Sequence, residues 1–381
     1  MSAEIDQPQQ PSILDRLEIS EVRVHPVRAT YRRPFLISSG ASHELTSLAV
    51  EIRDREGRSG YGEVSPMTAY TGETERGVRS AIEQHLAPAL CAAPLGGITD
   101  AHGRMDACMR GQNLAKAGLD IALYDLIGRI YGAPVHTLLG GAVRQRVDVA
   151  WVVGLAGVDE MVAEAVESVR RGFVHIKVKG GVDPGADLVL VRELRSALPG
   201  SVELSLDANA GFRLGSALKP LERMAEAGLD IIEQPLPAWD LDGMASIRQR
   251  TGIRVMADES VHAPVDALAV VRHRAADIIN IKVLKVGGLL PSLKVAAIAE
   301  SAGLEIKIGS MPELGIATLA ALHLAAASPI ATIAADLVGP MMVRDEPLVP
   351  ALAEAESRGW LPVPQSPGLG PIAQPWLPPQ R

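Results

Sequence analysis

Residues 202–258 contain three short apolar runs, each ending in an acid: Val202-Glu203-Leu204-Ser205-Leu206-Asp207, Ile231-Ile232-Glu233 and Arg254-Val255-Met256-Ala257-Asp258. Helical patterning fills the intervals, so the unit is a strand followed by a helix, repeating every 25 to 30 residues or so, roughly the spacing of βα units. The same rhythm adds strands at 147–153 and 175–179 upstream, and at 278–283, 305–308 and 332–336 downstream. Eight strands, each but the last with a helical segment behind it, predict an α/β fold: a (β/α)8 TIM-type barrel, modified to (β/α)7β, over residues 141–340. The rival is a doubly wound open sheet. It is disfavoured because no Gly-rich phosphate turn follows the first strand.

Upstream, strand-like runs at 17–29, 46–54 and 60–64, the last two joined by the turn Arg55-Glu56-Gly57-Arg58, predict a small meander. Helical spacing at 74–89, 100–109 and 113–131, the last stopped by Gly132 and Pro134, completes an α+β capping domain over residues 17–140. Residues 1–16, rich in Gln and Pro with no apolar segment, read as a disordered tail and not a signal peptide. Residues 341–381 hold many prolines and the turn Ser366-Pro367-Gly368-Leu369-Gly370, and are expected to pack back on the capping domain. The apolar stretch 318–335 is mostly alanine with His323 and Pro329, which suits a core helix running into a strand and not a membrane span.

Composition narrows the function classes. In 381 residues, Lys+Arg number 37 and Asp+Glu 45, a net charge of −8 with no long basic run, so neither nucleic acid nor an anionic membrane is an expected partner. Hydrophobic residues at 47% supply a large core, and because aromatics are only 3% its volume must come from Leu, Ile, Val and Ala. Two cysteines, Cys91 and Cys108, form neither a disulfide framework nor a zinc pattern and are expected to be reduced and buried. A cytoplasmic location is expected.

The ionisable residues carry the functional signal. Lys177 and Lys179, Asp207, Glu233, Asp258 with Glu259, Lys282 and Glu313 fall at or just past the ends of successive strands, which in a barrel converge on one mouth. Three oxygen donors from consecutive strands, Asp207, Glu233 and Asp258, suit a hard divalent cation such as Mg²⁺. Any one of them alone reads equally as a helix N-cap or a solvated acid, but three in register do not. Lys177 and Lys179, two apart on a strand, share a face, which is costly without partners or a wet mouth. The plainer reading puts both on the surface past an earlier strand end. Lys282 sits inside an equally apolar run on the opposite side of the barrel, so the lysines face one another across a substrate, and lysines near a metal can have lowered proton affinity. His175 and His323 lack paired metal spacing, Ser310-Met311 lacks a nucleophile elbow, and Gly287-Gly288 is weak as a phosphate loop.

The pieces Lys177-Val178-Lys179, Asp207-Ala208-Asn209, Ile232-Glu233-Gln234-Pro235, Met256-Ala257-Asp258-Glu259-Ser260, Asn280-Ile281-Lys282 and Pro367-Gly368-Leu369-Gly370 together resemble the enolase superfamily, in its muconate lactonizing enzyme subgroup within the mandelate racemase/muconate lactonizing enzyme family. Ala115-Lys116-Ala117-Gly118-Leu119-Asp120 and Leu138-Leu139-Gly140-Gly141 resemble it too, so the likeness runs from about residue 17 to 372. It implies that Asp207, Glu233 and Asp258 hold Mg²⁺, with Mn²⁺ as a substitute, and that Lys179 and Lys282 are the acid/base pair, Lys177 lowering the proton affinity of Lys179. Asn209, Glu259 and Glu313 would support the site, and the 31–42 and 67–72 loops would close over a small carboxylate substrate. An enolate next to a carboxylate would be formed or consumed. Asp336-Leu337-Val338 has one aspartate where dipeptide epimerases often carry two, while Val149-Ala150-Trp151 and Asp336-Leu337-Val338-Gly339-Pro340 look more like muconate cycloisomerases. Cycloisomerisation is thus the leading expectation, with racemisation or epimerisation of N-acyl amino acids or dipeptides, or a dehydration, as alternatives. A non-catalytic barrel is the distant one. The subgroup also implies a homo-oligomer, often an octamer.

Overall fold

The computed structural model describes residues 17–37, 40–353 and 357–376, and for 34–37, 40 and 41 the backbone alone. The expected tail, 1–16, lies outside the described residues. Strands β1 (Ile19–Ile37), β2 (Gly40–Asp54) and β3 (Ser59–Val64) form an antiparallel meander. The 31–42 loop expected from the sequence is instead the far end of the β1–β2 hairpin, with the ladder interrupted between Thr30 and Phe35 and resumed to Ile37↔Gly40. The predicted helix at 74–89 starts on Thr74, whose side chain accepts the Gly77 N–H, and then opens into one π turn, Ile82–Leu86. Pro88, two residues beyond Leu86, brings no N–H to the helical ladder.

Helix Asn113–Tyr131 is buried on nearly every side, because the meander covers one face and the barrel the other. Contact with β3 is made by glycines: a Cβ on Gly62 would lie 1.9 Å from the Gly118 carbonyl oxygen, and one on Gly118 would lie 2.4 Å from Val64 Cγ2. Only hydrogens at both positions let strand and helix backbones approach this closely.

The barrel starts with a break. The predicted 147–153 strand divides into β4 (Arg146–Asp148) and β5 (Trp151–Val153), and only β5 enters the barrel. β6 (His175–Lys179), β7 (Glu203–Asp207), β8 (Ile231–Glu233), β9 (Arg254–Ala257), β10 (Ile278–Lys282) and β11 (Glu305–Gly309) follow in parallel, neighbour to neighbour. Barrel residues of the strands are almost all buried, the reading expected of a parallel sheet covered on both faces.

The eighth strand, expected at 332–336, is reduced to parallel bridges, Ile306↔Ala331 and Val149↔Ala335, which span the gap from β11 to β5. No continuous ladder forms there, yet Ala150 N–H to Ala335 O and Asp336 N–H to Ile308 O still stitch the seam at 2.8 and 3.0 Å. Among the described residues no long helix follows it.

From there the chain crosses back over the molecule. β12 (Trp360–Pro362) pairs antiparallel with β4. Asp125, on the buried helix, accepts the Leu369 N–H at 2.7 Å and the Tyr61 N–H at 2.9 Å, so one carboxylate joins meander and C-terminal segment. Trp376 stacks on His25. Of the two cysteines Cys91 is half-buried but Cys108, expected to be buried, is exposed; its helix ends there and its thiol reaches the His85 carbonyl. Among the described residues no helix is long and apolar enough to cross a membrane.

Candidate active site

Strand register sets the site. Lys179 is level with Asp207 and Asp207 with Glu233, while Asp258 lies just past β9, so one layer at the C-terminal end of the barrel carries all four. Lys177, one layer deeper on the same face of β6, has its Nζ 3.0 Å from Asp207 Oδ2, 2.6 Å from Glu233 Oε2 and 2.9 Å from Asp336 Oδ2. Lys179 donates to Asp207 Oδ2 at 2.7 Å and to Asn209 Oδ1 at 3.2 Å. Lys282, at the end of β10 and four strands away from β6, donates to Asp258 Oδ2 at 2.7 Å. The side chains of all three lysines are buried, as the apolar strands require, and each is paired.

Burial alone would lower the proton affinity of Lys177, but the carboxylates of Asp207, Asp336 and Glu233 raise it well above the ordinary lysine range. For Lys282 burial is likewise outweighed, chiefly by Asp258. The lowered proton affinity expected for lysines at this mouth is therefore not found for these two, because carboxylates are their direct neighbours. Burial would raise Asp207, yet Lys177 and Lys179 hold it down to about 2. Glu259, buried and beside Asp258, is pushed up to about 8.

Asn209 supports the site from a left-handed backbone, φ 42°, and donates to Glu259 Oε1 at 3.2 Å. Glu313 is not brought into the cleft: it is buried behind the wall, accepting the Met311 N–H at 3.2 Å, and burial with nearby Glu63 pushes its carboxyl well above the usual range.

Other residues join without having been singled out. Tyr70, within the expected 67–72 loop, donates to Asp258 Oδ1 at 2.8 Å and accepts from Lys282 at 3.3 Å, its ring 4.6 Å beneath that ammonium. Lys285 turns inward, onto Asp258 Oδ1 at 2.7 Å and the Asp258 carbonyl, which removes it from any phosphate loop. Gly288, three residues on, packs on Asp120 instead. Asn280 donates to Glu233 Oε1 at 2.8 Å, and Gln234 accepts the Asp258 N–H at 2.9 Å. His175 and His323 are core residues, bonded to Ser205 and to the Leu369 carbonyl.

A cleft of about 700 Å³, part of it open solvent, lies over this layer. Tyr31, Met67, Tyr70, Val152, Val338 and Met342 wall it, and Lys177, Lys179, Lys282, Asn209 and Asp336 reach into it. Asp207, Glu233 and Asp258 are fully buried below, an all-carboxylate donor set suited to Mg²⁺. Glu233 Oε2 has no hydrogen-bond donor aligned on it, its approach to Lys177 being an ion pair only. The three fit a hard cation in chemistry. Among the described residues, however, no three acidic, histidine or cysteine side chains are already gathered to ligate a metal, and the acids are paired with lysine ammonium groups instead.

Residues 19–140 match the family described as Mandelate racemase / muconate lactonizing enzyme, N-terminal domain, and residues 160–371 match Enolase C-terminal domain-like. The chain is 35% identical over 342 residues to Muconate cycloisomerase 1 of Rhodococcus opacus, covering 89% of this chain and 91% of that one. It is 34% identical over 333 residues to L-Ala-D/L-Glu epimerase of Clostridium acetobutylicum, covering 87% and 92%. The solved dipeptide epimerase of Enterococcus faecalis complexed with Mg and the dipeptide L-Leu-L-Tyr superposes with a TM-score of 0.87 at 33% identity, covering 94% of this chain and 100% of that one.

Proposed function

The chain belongs to the mandelate racemase/muconate lactonizing enzyme family of the enolase superfamily and is an isomerase, and from that premise we propose that it is a Mg²⁺-dependent cycloisomerase of a muconate-type dicarboxylate. The observation that carries the proposal is the cleft lining: three ammonium groups, one carboxylate and otherwise mostly apolar walls. Such a cavity suits a small, flat dianion, and offers its single acid, Asp336, already paired to Lys177.

Asp207, Glu233 and Asp258 would hold the Mg²⁺. When bound, the ion supplies Lewis-acid stabilisation to a carboxylate on which negative charge grows. Lys177 orients that carboxylate from below. In the reaction one substrate carboxylate oxygen bonds to the β-carbon of the other enoate, and the displaced π pair moves to the α-carbon. Lys179 Nζ gives a proton to that carbon, so the lactone has the composition of the diacid that formed it. Tyr31, Met67 and Tyr70 cover the cleft from the capping elements and limit water.

A second reading, racemisation or epimerisation of an N-acyl amino acid or dipeptide, is supported by Lys179 and Lys282 on strands four apart, where they could serve opposite faces of one α-carbon. A dehydration would share the same enolate.

Incubation in D₂O with Mg²⁺ and a pool of muconates, N-succinyl amino acids and dipeptides separates them by NMR and mass spectrometry. A muconate converted to a lactone carrying one deuterium supports cycloisomerisation. Deuterium at the α-position of a recovered amino acid or peptide, with muconates untouched, refutes it in favour of the second reading.

A further inference from the structure

Lys307 lies in the middle of β11, level with Asn280 on β10, and neighbours in a parallel sheet share a face. Asn280 points inward to Glu233, so Lys307 is an interior residue as well. Its exposure is 0%, and its Nζ is 2.7 Å from Asp336 Oδ1, with no other acceptor among the described residues. A buried ammonium with one partner is costly where an apolar side chain would fill the same space, so packing alone gives no reason for a lysine here.

Asp336 gives the reason. It is the one acid in the cleft lining among the described residues, and so the natural receptor for a cationic group on a substrate. One of its oxygens receives Lys177 at 2.9 Å; the other is taken by Lys307 from underneath the cleft floor. Val338, two residues on, lines the same wall and brings no charge.

We propose that Lys307 is a specificity-determining residue that occupies Asp336 from beneath, so that the cleft rejects substrates with a free ammonium and takes those whose corresponding group is anionic or acylated. This rests on the reading that the cleft binds a carboxylate substrate beside Lys177, Lys179 and Lys282. Discrimination here works by repulsion: an incoming ammonium meets two resident ammoniums around one carboxylate. Lys307 touches no substrate and acts through Asp336.

The test compares two probes that differ only at the nitrogen, L-Ala-L-Glu and N-acetyl-L-Ala-L-Glu, titrated by calorimetry into the Mg²⁺-loaded enzyme and its Lys307→Met variant. Wild type is expected to bind the acetylated probe about tenfold more tightly, and Lys307→Met to erase that preference by tightening the free-ammonium probe alone. Lys307→Arg, which keeps the charge, is expected to keep the preference. Should Lys307→Met not fold, Lys307→Gln, neutral and still able to donate to Asp336, gives the same readout. An unchanged preference in the neutral variant overturns the role of Lys307 alone. Failure of wild type to bind either probe while a muconate titrated in parallel still binds overturns the role of Lys307 alone, and failure with all three overturns the reading of the cleft as well.

Discussion

Two lysines separated by one valine share Asp207 but otherwise have different partners in this molecule. Lys177 is locked among three carboxylates, whereas Lys179, nearer the mouth, holds only Asp207 and Asn209 and lines the cleft. On the proposed reading Lys179 is therefore the residue that moves a proton. Lys179→Ala is expected to lower kcat by at least about 10²-fold, the usual worth of a positioned acid or base, with circular dichroism and Mg²⁺ affinity nearly unchanged. Turnover at the wild-type rate would remove Lys179 from the reaction. Lys177, Lys179, Asp207, Glu233, Asp258 and Lys282 were legible because strand periodicity and strand ends announce them. Tyr70, Lys285 and Lys307 were not, because what matters about them is a partner far away in sequence: Asp258 for the first two, Asp336 for the third. Nothing local distinguishes Lys307 from the lysine of any half-exposed strand.

Helix Gly315–Ala327 shows what an element adds to its residues. Its N-terminal N–H groups are received by two buried glutamates: Glu63 from the meander takes Leu314 and Ala317, at 2.6 and 2.9 Å, and Glu346 from the C-terminal segment takes Gly315 at 3.2 Å. Further along, His323 accepts the His136 N–H at 3.2 Å and lies 3.1 Å from the Leu369 carbonyl, an arrangement made by the neutral ring. Burial lowers its proton affinity from 6.5 to about 4. The unfolded chain therefore takes up this proton first on acidification. Stability present above pH 6.5 is expected to fall by about 3 kcal/mol as pH drops towards 4 and to level off below it. Urea unfolding from pH 7 to 4 checks this, and His323→Gln should flatten that part of the slope. The apolar helix was readable from its composition, as were seven barrel strands. The eighth was overcalled: 332–336 has strand-like residues, but a strand needs a ladder, and only isolated bridges form on either side.

At the scale of the molecule, cap, barrel and C-terminal segment meet around one buried layer of opposite charges. Lysine ammonium groups already compensate Asp207, Glu233 and Asp258, so the fold is expected to persist without metal while gaining from it. Mg²⁺ at a hundred times its Kd should add about 2.7 kcal/mol to the unfolding free energy, visible as a rise in Tm that EDTA reverses. Glu233→Gln should lose most of that rise; an equal rise in the variant would place the ion elsewhere. The pairing of β12 with β4 has a further consequence, this one in time. The first part of the barrel leaves the ribosome long before Trp360 does, and at about 5–20 residues per second the interval is on the order of ten seconds or more. Throughout it β4 has an unpaired edge, open to adventitious strands. A chain released before Trp360 is thus a client for chaperones and proteases, and the enzyme cannot close until that residue has been made.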